Sequence, residues 1–236
     1  MLRKLLDQGV VRLANYLRRA GRVEYSLVHE LERRIAAECA DFVEQQMAGA
    51  IQLMSREQLW DYTLSQVGIE GLYLEFGVFE GRSINHIARA ARTPQGARPQ
   101  VYGFDSFEGL KEDWRGNQLG KGAFDRGGRM PRVEANVTLA KGWFDQTLPK
   151  FLAEHRESVA YVHIDSDTFE AARTVLSLLG DRIVPGTIVV FDEYFGYRGW
   201  KEGEHRAWVE FAQTRHVTYE YIAFTATQVA VKANAA

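Results

Sequence analysis

"YLEFGVFEGRSINHIA", residues 73–88, is the stretch on which the fold turns. An apolar run from Leu72 to Phe76 stops at Gly77, Gly81 follows, and residues 81–92 continue as a helix. Strand, glycine turn and helix in that order let the backbone approach a ligand closely at a helix N-terminus. The next apolar run, residues 100–107, carries Asp105 near its end, where a carboxylate accepts hydrogen bonds from ribose hydroxyls.

Outward from the turn, short apolar runs alternate with helical stretches. Strands are expected at 137–144, 159–166 and 186–193, and helices near 146–155, 168–181 and 202–214. Such alternation indicates an α/β fold, a parallel sheet with helices on both faces. The end breaks the rule. "TYEYIAF" (218–224) and "QVAVKA" (228–233) are too close for a crossover helix, so they form an antiparallel hairpin. Residues 108–136 hold many glycines and little periodicity, and a long irregular stretch in a compact domain is usually functional or mobile.

Residues 2–54 read as a helical extension, possible lid or oligomerisation element, ahead of a domain at 55–236. Leu6, Val10, Leu13 and Leu17 mark one helix face; Val28, Leu31, Ile35, Cys39 and Phe42 mark a second, with Gly21 between. The first face is accompanied by Arg3, Lys4, Arg12, Arg18 and Arg19, which suit either a membrane surface or, the preferred reading, packing on this domain or a second subunit. The 236 residues, 46% hydrophobic, suffice for one substantial core. A net charge of −2 argues against a nucleic-acid partner. The single cysteine, Cys39, reads as a small buried residue in a cytoplasmic protein. No apolar run approaches the ~20 residues of a membrane span, and the N-terminus is not a typical signal peptide.

The glycine turn is not the dinucleotide fingerprint G-x-G-x-x-G. Phe79 and Glu80 stand inside it and Glu75 precedes it, so a pyrophosphate would meet bulk and negative charge. S-adenosylmethionine carries no phosphate, and its sulfonium and ammonium are cationic. Glu75 then attracts the ammonium, directly or through water, while Arg82 or Ser83 with helix N–H groups holds the carboxylate. The competing reading is an ordinary strand–helix turn with solvated charges.

"LEFGVFEGRS", "VYGFDSFEGL", "KGWFDQTLP", "VHIDSDTFEAARTVL" and "VPGTIVVFDEY" together resemble class I methyltransferases of the macrocin/mycinamicin sugar O-methyltransferase type, over about residues 50–232. The resemblance implies a seven-stranded Rossmann-like sheet, S-adenosylmethionine as donor and Mg2+-assisted transfer to a hydroxyl. It implies that "LMSREQL" (53–59) reaches over the methionine end of the donor, with Met54 and Ser55 as candidates. It sets Trp143 and Phe144 on the adenine side, against core packing as the alternative. Phe76, Gly77, Gly81 and Ser106 complete the expected donor site.

Two apolar runs end in acids: "YVHIDSDTFEAA" (161–172) and "IVVFDEYFGY" (188–197). With the strands side by side, Asp165, Asp192 and Glu193 converge, and three anions in a desolvated cleft either take up protons or share a cation. All-oxygen ligands suit Mg2+, with Ca2+ or Mn2+ possible. The resemblance matches Asp165 and Asp192 to metal ligands, and Glu193 stands where relatives carry aspartate or asparagine. Asp167 is expected to cap helix 168–181. His163 is either a proton acceptor or, preferably, a hydrogen-bonded core histidine, and His205 reads as solvated. Tyr194, Tyr197, Arg198 and Trp200 form either an acceptor wall or a packed loop. A hydroxyl or vicinal diol on a sugar or aromatic ring fits such metal chemistry, and the resemblance implies a sugar in a small natural product or polysaccharide as acceptor, with Asp165 taking the proton or handing it to water. Two rival readings are a metal-dependent glycosyltransferase using the D-x-D at 165–167 and a catalytically silent scaffold assembling through residues 1–54.

Overall fold

The computed structural model describes residues 27–117 and 119–235. The helix expected around Leu6–Leu17 lies outside them. Helix α1 (Leu27–Gln46) leads into β1 (Ile51–Gln52), α2 (Arg56–Ser65), β2 (Leu72–Phe76), α3 (Arg82–Ala90), β3 (Val101–Asp105) and β4 (Val137–Lys141). Then come α4 (Phe144–Glu154), β5 (Val159–Ile164), α5 (Phe169–Leu179), β6 (Ile188–Phe191), α6 (Glu204–Arg215), β7 (Thr218–Phe224) and β8 (Val229–Asn234).

These strands form one sheet in the order β1-β7-β8-β6-β5-β2-β3-β4. The fold is the Rossmann-like α/β class, with the expected reversed hairpin: β8 runs antiparallel to both β6 and β7. Among the described residues the sheet has eight strands rather than seven, because Ile51–Gln52 adds a parallel edge strand beside β7. Two residues carry no periodicity, so this strand leaves no trace in the sequence pattern.

The uninterrupted apolar runs follow from the layering. Every residue of β2, β5 and β6 is buried, since helices cover both faces of the central strands. On one face Phe76, Phe104, Leu148, Ile164, Leu176 and Trp208 pack together; on the other, Tyr73, Ile84, Ile87, Tyr161 and Val190 do. Phe76 and Phe104 stack across neighbouring strands with ring centroids 4.8 Å apart. In α1, Cys39 is buried, and Ile35 and Phe42 pack against the first of these faces, whereas Val28 and Leu31 are exposed. No described helix is long and apolar enough to cross a membrane.

From β2 the chain steps outward to β3 and β4; from β5 it steps the other way to β6. The connections therefore part above the C-terminal ends of β2 and β5, opening the crevice in which sheets of this type bind ligands.

Candidate active site

Gly77 stands at that switch point. Its φ is +92°, and a Cβ there would land on the Asp165 carbonyl oxygen. Only glycine lets the tips of β2 and β5 approach so closely. The Gly77 N–H donates to the Phe104 carbonyl (3.0 Å) and the Asp165 N–H to the Phe76 carbonyl (2.8 Å), so three strand tips are stitched together here.

Asp105 organises the turn. Its Oδ2 accepts the N–H groups of Val78 (2.8 Å) and Phe79 (2.7 Å), and Oδ1 accepts that of Phe107 (2.7 Å). Phe79 and Phe107 both have positive φ, +45° and +59°, a conformation costing about 1–3 kcal/mol each in a bulky residue. Charge-assisted bonds to Asp105 offset that strain. A carboxylate has about four acceptor positions, so Oδ1 retains capacity for a ribose hydroxyl, and Asp105 lines the adjoining cavity.

That cavity, about 650 Å3, has the size of a small-molecule site. Gly77, Asp105, Ser106, Trp143, Phe144, Asp165, Asp192 and Glu193, all expected from the sequence, line it together. The remaining candidates lie elsewhere. Glu75 is fully buried beneath the turn, accepting from Ser83 Oγ (3.0 Å) and meeting His163 Nδ1 (3.1 Å), and so faces the interior rather than an ammonium in the cavity. Ser83 is thereby committed to Glu75, and Phe76 is core. Gly81 caps α3 with φ +80° and Arg82 pairs with Glu57 at the surface. Met54 is 84% exposed, and Ser55 caps α2 by accepting from the Gln58 N–H.

Behind the turn, four carboxylates converge. Ligand atoms of Asp165, Asp167 and Glu193 lie within 4.8 Å of one another, as do those of His163, Asp165 and Asp192. Asp165 belongs to both groups. Asp192 is held by the Gln228 amide and by Arg56, 3.4 Å from its Oδ2. Burial and the Asp192 charge push Asp165 and Glu193 well above the usual carboxylate range. Burial, with Asp192 and Asp105, lifts Asp167 to about 7. Asp192 goes the other way, down to about 2: burial opposes its charge, but His163 and Arg56 outweigh it. Although burial works against the His163 cation too, Asp192 and Glu75 raise it to about 10. His163 is the buried, hydrogen-bonded core histidine, with Nε2 3.7 Å from Asp192 Oδ1.

Two readings are corrected. The cap of α5 is Thr168, whose side chain accepts from the Ala171 N–H. Asp167 instead adopts φ +62°, is buried, and lines the cavity. The tight turn after Asp165 reverses the direction that helix-cap spacing suggested. His205 is not solvated: its ring packs 4.9 Å from Trp200, 5.0 Å from Tyr194 and 5.4 Å from Phe42, and burial lowers its pKa to about 4. Tyr194 and Trp200 are buried, Tyr197 is half-buried and Arg198 exposed; none of the four borders this cavity, while Tyr197 and Arg198 line a second one.

Arg56, Lys111, Trp114 and Phe124 line the cavity without having been singled out. Arg56 lies in the "LMSREQL" stretch, and the other three in the glycine-rich loop, where position along the chain says nothing about direction. Glu204 was missed altogether. It is fully buried at the start of α6; Oε1 accepts from Ser166 N–H (3.1 Å) and Oγ (3.2 Å), and Oε2 from Glu193 N–H (3.2 Å). Burial raises it to about 8, against those bonds.

The acids fit a hard divalent cation. Glu193 Oε2 is buried with no hydrogen-bond partner, and Asp165, Asp167 and Glu193 offer oxygen only.

Residues 74–194 match the methyltransferase-domain family, so the chain belongs to that family of class I S-adenosylmethionine-dependent methyltransferases. A curated relative from Streptomyces olivaceus, 8-demethyl-8-(2,3-dimethoxy-alpha-L-rhamnosyl)-tetracenomycin-C 4'-O-methyltransferase, is 28% identical over 148 residues, covering 54% of each chain. The chain thus matches about half the length of that relative. Among solved structures, the calicheamicin methyltransferase CalS11 superposes with a TM-score of 0.58 at 20% identity, covering 89% of this chain and 94% of its own. The O-methyltransferase NovP gives 0.57 at 20% identity, covering 76% and 80%. These likenesses establish the fold.

Proposed function

We propose that this chain is an O-methyltransferase of the macrocin/mycinamicin type, moving a methyl group from S-adenosylmethionine to a hydroxyl of a sugar or other small natural product, with Mg2+ or another divalent cation assisting. One observation carries the reading. A single cavity has the Asp105-organised glycine turn on one wall and the Asp165/Asp167/Asp192/Glu193 cluster on another. The curated relative's name, a rhamnosyl 4'-O-methyltransferase, supports a sugar acceptor.

In this reading Asp105 Oδ1 accepts a ribose hydroxyl, while Trp143 and Phe144 flank the base. Asp165, Asp167 and Glu193 would hold the cation, with Asp192 adjoining. Bound there, it would act as a Lewis acid on an acceptor hydroxyl. Asp165 belongs to both groups of ligating side chains and accepts the departing proton at a carboxylate oxygen. Trp114, Phe124 and Lys111, from the glycine-rich loop, line the cavity beside the acids and would contact the acceptor. Residues 1–54 serve as lid or assembly element for a catalytic unit spanning 55–236, in a cytoplasmic homo-oligomer that binds neither membrane nor nucleic acid.

Calorimetric titration of S-adenosylmethionine, with and without Mg2+, on wild type and Asp192→Ala tests the proposal. Donor affinity should change little in the variant, while turnover on a rhamnosyl acceptor falls at least about 100-fold. A wild type that ignores the donor refutes the reading, and binding of a UDP-sugar in its place would favour the D-x-D glycosyltransferase.

A further inference from the structure

We propose that Glu204 is a positioning residue that holds the two acid-bearing strand tips in register so that they can share one divalent cation. The inference rests on the metal reading above and concerns a residue outside the cavity wall.

The tips belong to different strands. The backbone ladder between them ends with the Asp192 N–H donating to the Ile164 carbonyl (3.0 Å). Beyond that bond, one chain turns through Ser166 and Asp167 toward α5, and the other through Glu193 into a loop. Glu204 spans this gap. One oxygen takes the Ser166 N–H and Oγ–H; the other takes the Glu193 N–H. Ser166 lies between Asp165 and Asp167, so a single carboxylate sets the spacing of the three ligands Asp165, Asp167 and Glu193. It is itself placed rigidly, because α6 is anchored by buried Ala207, Trp208 and Phe211.

Glu204 belongs to neither group of converging ligand atoms and does not line the cavity, so it stands behind the ligands rather than among them. Nor is it an economical filler: a fifth acid behind four others is a costly choice for packing alone. A glutamine would fill the same space but would turn an amide N–H2 toward either Ser166 or Glu193, leaving donor facing donor. Partners of this kind behind metal ligands commonly change metal affinity by about 10–100-fold when removed.

The test uses Mn2+ as probe, followed by the loss of its free electron paramagnetic resonance signal, with S-adenosylhomocysteine affinity measured in parallel. Wild type should take up Mn2+. E204Q should bind it about 10–100-fold more weakly, while nucleoside affinity stays within about twofold. S166A, which removes only the Oγ–H bond, should show a smaller loss in the same direction, and it carries the test if E204Q does not fold. Unchanged Mn2+ affinity in E204Q, or in S166A where only that variant folds, overturns the proposal. So does an equal loss of nucleoside affinity, which marks general disruption. A wild type that takes up no Mn2+ removes the metal reading and this assignment together, whereas uptake by wild type and E204Q alike removes this assignment alone.

Discussion

Replacing Asp167 with asparagine isolates one buried charge. Asparagine is the side chain that best tolerates the positive φ found there, so the backbone need not move. The Asp167 pKa rises from 3.8 unfolded to about 7 folded, through burial and then through Asp192 and Asp105. The sign follows from linkage. Below pH 3.8 the acid is protonated in both states and contributes nothing. Between 3.8 and about 7 the unfolded chain ionises while the folded one holds its proton, so stability falls as pH rises; above 7 the penalty is complete. With those two values the penalty is about 1.5 kcal/mol at pH 5 and about 4 kcal/mol at pH 8. Asp167→Asn should therefore stabilise the metal-free protein more at pH 8 than at pH 5, by about 2.5 kcal/mol. With a urea slope near 3 kcal/mol per M, the midpoint gain should be about 0.8 M larger at pH 8. Urea unfolding in chelator at both pH values measures it. An equal gain at the two pH values, or a loss at pH 8, would refute the view that Asp167 is a desolvated acid in a crowded cluster.

Two further substitutions probe the donor turn. Asp105→Ala leaves three backbone N–H groups and two left-handed phenylalanines unsupported; it should cost about 3 kcal/mol of stability and at least about tenfold in S-adenosylhomocysteine affinity, read by urea unfolding and calorimetry. Gly77→Ala drives a methyl into the Asp165 carbonyl, so it should lower stability by at least about 3 kcal/mol or yield insoluble protein, and wild-type melting would contradict the close approach of β2 and β5.

Much of this molecule follows from sequence alone. The central strands β2, β5 and β6 are legible because burial on both faces demands continuous apolar runs, and the reversed hairpin because a short connection between β7 and β8 admits no crossover helix. The glycine turn and the paired acids at strand ends are legible because strand polarity sends them all to one edge of the sheet. What the sequence leaves undecided is direction. Periodicity places Glu75 at the turn but does not say that it faces Ser83 and His163. Helix-cap spacing nominates Asp167, whereas the fold gives the cap to Thr168 and turns Asp167 into the cavity. Glu204 sits thirty-eight residues from Ser166, and only the packing of α6 against the sheet makes them neighbours. Sequence thus determines which residues reach the sheet edge, through local propensity and burial; tertiary structure decides which of them face one another, because that depends on turns and packing between segments distant along the chain.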